Sequence, residues 1–109
     1  MPTVATVNLT IKGSKRQTHA KFSVDAQKNN VLDPVLLQQT TVGDTVTWTG
    51  CKSFEVENLE GCSYRLNIVG DKDAEWNLQV FCDQPEYHRA ELNSGRLPKD
   101  SGDIIDGTL

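Results

Sequence analysis

Cys82 and His88 are the pair of side chains best placed to do chemistry together, with five residues between them. A thiolate and an imidazole at short range can act as soft ligands for copper or as nucleophile and base. A blue-copper centre needs a thiolate and two imidazoles. His19 and His88 are the only histidines, and His19 lies far off, at the mouth of the second predicted strand. Cys82 continues the phase of Trp76, Leu78 and Val80, which predicts a core position and a thiol withheld from substrate. Cys51 and Cys62 flank the segment around Phe54 and could pair in an oxidising compartment; with three cysteines at least one thiol stays unpaired. The missing secretory signal weighs toward no disulfide at all.

The carboxylates offer less. Glu55 and Glu57 are expected on one outward face of a strand over Ser53–Glu57, with Glu60 just beyond, a solvated face more than a cation site. Asp71, Asp73 and Glu75 have calcium-like spacing but lack the glycine and the closing glutamate of a calcium loop, so they predict a charged turn. No Gly-x-Ser-x-Gly elbow and no glycine-rich phosphate loop is present. Asn8-Leu9-Thr10 matches a glycosylation sequon inside a predicted strand.

The elements that must carry these residues are strands. Ala5, Val7, Leu9 and Ile11 alternate with polar residues, then Ala20, Phe22 and Val24 do the same. These two strands are expected as a hairpin with a long loop or as neighbours in facing sheets. Val31 to Gln39 contains Pro34, which confines any strand there to an edge. Separate strands are expected over Thr45–Thr49 and Ser53–Glu57. Tyr64, Leu66 and Ile68 mark the next strand, and Trp76, Leu78, Val80 and Cys82 another. His88, Ala90 and Leu92 suggest a short strand, residues 93–103 an exposed loop, and Ile104-Ile105 with Leu109 a last strand. Trp48, Phe54, Tyr64, Leu66, Trp76, Leu78 and Val80 are the expected core.

The run Val42-Gly43-Asp44-Thr45-Val46-Thr47-Trp48 resembles a segment of cupredoxin-like domains. There a Gly-Asp turn leads into a strand carrying Val and Trp, and a metal-binding histidine follows. The likeness reaches from Pro34 to Val56, and the family also places Cys and His close together before its last strand, as Cys82 and His88 stand here. The number and spacing of the strands imply an all-β Greek-key β-sandwich of about seven strands, cupredoxin-like or immunoglobulin-like, and the length implies a single domain over residues 1–109; the resemblance brings it closest to the cupredoxin-like group. The resemblance also implies copper at Cys82 and His88. Ser53-Phe54 stands in place of the family's first histidine, Leu92 near the axial ligand's place, and Met1 is the only methionine. The copper-ligand set is thus not intact, and no catalytic, cofactor-binding or metal-binding residue is assigned.

Charge narrows the partners. Residues 1–50 carry five basic and three acidic side chains, and residues 51–109 carry six and twelve, within a net charge of −4. An acidic second half repels phosphate backbones, so no nucleic acid is expected. No apolar run approaches a membrane span, and the start MPTVATVNLT lacks the features of a secretory signal, which favours the cytoplasm. Thr41, Thr45, Thr47 and Thr49 predict a flat, hydrogen-bonding surface, and Phe81 points away from the Trp76 face. The expected function is a non-enzymatic binding or structural module, its partner another protein or a second copy. The alternatives are a copper or redox module using Cys82 and His88, and a carbohydrate-binding module, which would need exposed aromatic rings.

Overall fold

Period-two alternation over the N-terminal decapeptide builds the central strand of the molecule. In β1 (Thr3–Lys12) the odd residues Thr3, Ala5, Val7, Leu9 and Ile11 are fully buried, and the even residues turn outward. The computed structural model describes residues 2–14, 18–83, 88–98 and 103–109, of 88–92 the backbone alone. Nine strands lie among the described residues: β1, β2 (His19–Val24), β3 (Asp33–Val35), β4 (Gln38–Val42), β5 (Thr45–Phe54), β6 (Ser63–Val69), β7 (Glu75–Cys82), β8 (His88–Arg96) and β9 (Asp103–Thr108).

They form two antiparallel sheets, β4-β5-β1-β7-β8 and β3-β2-β6-β9. β1 and β2 are therefore not a hairpin; they lie in different sheets. The inward faces share one buried cluster that includes Leu9, Phe22, Trp48, Leu66, Trp76 and Leu78. All seven expected core residues belong to it. Each fully buried Leu, Ile or Phe contributes roughly 1.5–3 kcal/mol relative to exposure. Polar contacts add register between the sheets: the Trp48 indole Nε1–H donates to Thr18 Oγ1 at 3.1 Å, and both residues are buried. Phe22 and Tyr64, neighbours on β2 and β6, stack with ring centroids 5.4 Å apart.

Three expectations need correction. Thr45 to Phe54 is one uninterrupted strand, in register with β1 over its whole length from Thr3↔Phe54 to Lys12↔Thr45. Gly50 does not break it. A Cβ there would sit far inside 3.0 Å of the Leu36 carbonyl oxygen, so glycine is what lets the chain cross at that point. The strand ends at Phe54, so Glu55 and Glu57 lie in bends, not on a strand face. Finally, Asn93 to Arg96 is the second half of β8, not a loop. Gly95 lies against the Trp76 ring, and Leu97, just beyond, is fully buried.

Pro34 lies, as its missing donor requires, in an edge strand, opposite Ser23. Immediately after Val35 the chain changes sheets. Leu36 and Leu37 carry it from β3, at the edge of the four-stranded sheet, to β4, at the edge of the five-stranded one. Gly43 (φ +61) then supplies the positive φ that the two-residue Gly43-Asp44 turn into β5 requires.

Candidate binding surface at the edge of the larger sheet

β4 is exposed along its whole length, on both faces. The cause is geometric. The four-stranded sheet reaches over β5 through β3, leaving β4 as an overhang. Gln38, Thr40 and Val42 lie on the outer face beside Thr49, Thr47 and Thr45; Gln39 and Thr41 lie on the other. Leu36, 87 % exposed, and Val42, 74 % exposed, stand at its two ends. The outward backbone N–H and C=O groups of a strand in this position have no strand beside them among the described residues. Natural edges are commonly blunted by lysine, proline or a bulge. Gln38-Gln39-Thr40-Thr41-Val42 contains no charge and no proline, and it pairs with β5 without a register shift.

Behind this edge lies a largely polar face, with its charges gathered in the row Lys12, Glu75 and Arg96. One row across the sheet reads Thr40, Thr47, Thr10, Asn77 and Ser94, and the next reads Gln38, Thr49, Asn8 and Gln79. The expected threonine surface is therefore present but differently composed. Thr41 pairs with Val46 and belongs to the opposite face, while Thr10 and Thr40 join. Alternation within β1 was visible in sequence, but which strands lay beside it was not. Asn8 Oδ1, near the middle, is buried with no hydrogen-bond partner among the described residues. A cleft of about 430 Å3 opens at the far end of this face, lined by Thr10, Lys12, Asn77 and Ser94, with the Arg96–Glu75 ion pair (2.8 Å) at its side.

A second cleft, of about 470 Å3, lies on the four-stranded sheet between Asp25, Tyr64, Arg65 and Asp106. Its charged groups are each engaged by hydrogen bonds. The Asp25 carboxylate accepts from the Asn29 and Asn30 backbone N–H groups at 3.0 and 2.9 Å, and Arg65 Nε donates to Asp106 at 2.8 Å. That bond raises the Arg65 pKa and lowers that of Asp106.

Among the described residues the sequence-derived candidates do not assemble into a centre. Cys82 is buried, and burial, with a smaller push from Asp83, raises its thiol to about 11. Cys62 is also buried and raised, and its Sγ lies 3.8 Å from the Ala26 carbonyl oxygen. Cys51 is exposed on the outer face, and all three thiols are free. The His88 backbone pairs opposite Cys82; the His88 and Leu92 side chains lie outside the described part. His19 opens β2 and meets Trp48 edge to face at 6.1 Å. Asp71 and Asp73 form the expected turn, and Glu75 is held by Arg96. Among the described residues no three His, Cys, Asp or Glu side chains group to hold a metal, and no helix is long and apolar enough to cross a membrane. Both tryptophans are buried, and Phe81 is half-buried on the outer face.

The fold and surfaces define a class no finer than an all-β domain of two antiparallel sheets. Comparison with models of known families, with curated proteins and with solved structures returns no significant match.

Proposed function

We propose that the two sheets are a Greek-key β-sandwich of the cupredoxin-like kind, working as a non-enzymatic binding module whose contact runs through β4. One observation carries the functional part: a five-residue edge strand, open on both faces, uncharged, with an exposed apolar side chain at each end. Such an edge offers main-chain hydrogen bonds to an added strand, and the flanking side chains offer selectivity. The sandwich reading rests on the shared core, and the Greek-key reading on β1 lying between β5 and β7, strands distant from it in sequence. A copper or redox role for Cys82 and His88 is less favoured, because a buried, protonated thiol is a poor ligand and a poor nucleophile. A carbohydrate site would use the polar outer face, but no tryptophan is exposed there to stack on a sugar.

Hydrogen–deuterium exchange of the 38–42 amides tests the binding reading. In dilute, purified protein these amides should exchange fast on their outward side. They should become protected either at high protein concentration or in native extract. Unchanged exchange in both conditions would remove β4 as the contact.

A further inference from the structure

We infer that Cys62 and Cys82 are a disulfide site, closed across the two sheets by exchange with a small-molecule disulfide and open, as two thiols, in a reducing setting. The inference is independent of β4 and of any pairing of Cys82 with His88. It starts from how the sheets lie over each other. Their strand orders run the same way, and β3 lies against β5, so β2 lies over β1 and β6 over β7. β6 and β7 are consecutive strands that run in opposite directions, joined by residues 70–74. Counted away from that connection, their inward residues match level by level. Leu66 stands level with Leu78, Tyr64 with Val80, and Cys62 with Cys82, and all of them are buried. The two cysteines therefore end the same column of the core from opposite sheets. The charge of Cys62 also contributes to the rise of the Cys82 thiol, as proximity requires.

Packed sheets lie about 10 Å apart, and the Cα atoms of a disulfide about 5.5–6 Å apart, so closure draws the sheets together at this end. The neighbours allow it. Ala5 pairs with Cys82, and the Ala26 carbonyl oxygen lies 3.8 Å from Cys62 Sγ, so a small residue stands beside each cysteine. Cys62 precedes β6, in a turn where its N–H donates to the Leu59 carbonyl oxygen at 3.1 Å. A turn gives way more easily than a strand held on both sides. The pairing of Cys51 with Cys62 that the sequence allows is closed off, because Cys51 is exposed on the outer face opposite Thr6.

The chemistry is thiol–disulfide exchange. One cysteine, as thiolate, attacks a sulfur of the small disulfide and expels one small thiolate, leaving a mixed disulfide. The other cysteine, as thiolate, attacks the protein sulfur of that adduct, forms the Cys62–Cys82 bond and expels the second small thiolate. The two cysteine protons end on the two small thiols released, and the two electrons given up by the cysteines reduce the small disulfide. Both cysteines are buried, so exchange takes place as the chain folds or when this end opens, not in the closed fold. The bond closes a loop of about twenty residues.

Cys51→Ser supplies the test, because it removes the exposed competitor without touching the core. The reduced, urea-unfolded variant is refolded in a mixture of oxidised and reduced glutathione and then weighed by mass spectrometry. The expected product is a monomer two hydrogens lighter than the reduced chain. Trypsin cuts at Arg65 and Lys72, between the two cysteines, so the bond appears as a pair of joined peptides. The melting temperature should exceed that of the reduced chain by roughly 10–20 °C, and dithiothreitol should abolish the gain. The wild type should form the same link, with Cys51 left out of it. Refolded variant that keeps two free thiols, or carries only glutathione adducts, overturns the inference. So does a linked form that melts no higher than the reduced one, and so does a wild type that links Cys51 instead.

Discussion

Substituting Gly50 by alanine would test whether the chain crossing between the sheets is what positions β4. The backbone at Gly50 is extended, with no positive φ, so alanine meets no conformational obstacle there. Gly→Ala at such a site normally stabilises by about 0.4–1 kcal/mol through the unfolded chain. Space decides against it. The new methyl would fall far inside 3.0 Å of the Leu36 carbonyl oxygen, at 3.1 Å from its carbon and 3.2 Å from Leu37 Cδ2. The obstacle is backbone, which cannot rotate aside as a side chain can. Overpacking of this kind costs about 1–3 kcal/mol, which exceeds the entropic gain. The expected net loss is about 1–2 kcal/mol, and at about 4–8 °C per kcal/mol the melting temperature should fall by roughly 5–15 °C. Thermal unfolding followed by tryptophan emission gives that value. Hydrogen exchange adds location, since displacing Leu36-Leu37 should speed exchange in β4 before β1. A Gly50→Ala protein as stable as the wild type would refute the reasoning, because it would mean that the crossing does not lie on Gly50.

Thr18→Val keeps the side-chain shape and removes the acceptor of the buried Trp48 indole N–H; stability should fall by about 1–3 kcal/mol in urea unfolding. In a Trp48→Phe background the same substitution should cost much less, and equal costs in both would deny the bond any role. Gly107→Ala would place a methyl 2.5 Å from the Tyr64 ring carbon Cζ, so melting should drop and the Phe22–Tyr64 stack should loosen, seen in near-ultraviolet circular dichroism. Thiol labelling of the folded protein should modify Cys51 promptly and leave Cys62 and Cys82 until denaturation. The raised Cys82 thiol also sets a pH dependence. Its proton is held more tightly folded than unfolded, so its contribution to stability is full below pH 9 and fades as pH rises toward about 11. Melting temperatures measured across that window should decline, and less steeply in Cys82→Ala.

The core was legible because burial and chemistry alternate with the same period. Tyr64, Leu66 and Ile68, or Trp76, Leu78 and Val80, leave only one face to bury. β5 was misjudged where that signal lapses. Gly50 and Lys52 occupy inward positions opposite Val7 and Ala5, one because the chain crosses it and one because it reaches out to the Pro34 carbonyl. β8 was half missed for a similar reason, since Gly95 fills an inward position that the Trp76 ring already covers. The candidate site was the least legible part. A strand exposed on both faces has no alternation to betray it, and Gln38 to Val42 is an edge only through its place at the end of the order β4-β5-β1-β7-β8, which joins segments far apart in sequence. The polar face was visible strand by strand, but its rows depend on pairings between segments far apart in sequence.

The place of β1 has a consequence for how the molecule comes into being. β1 leaves the ribosome ahead of both strands that will flank it, and Ala5 must wait for Lys52 on one side and Cys82 on the other. At about 5–20 residues per second the second wait lasts several seconds, long compared with the microseconds in which a local hairpin closes. Until β5 emerges neither edge of this largely apolar-faced strand is paired, and until β7 follows one edge stays open. Soluble yield in a cell is then governed by what happens to β1 during that interval, and it can vary between hosts while the stability of the finished fold does not.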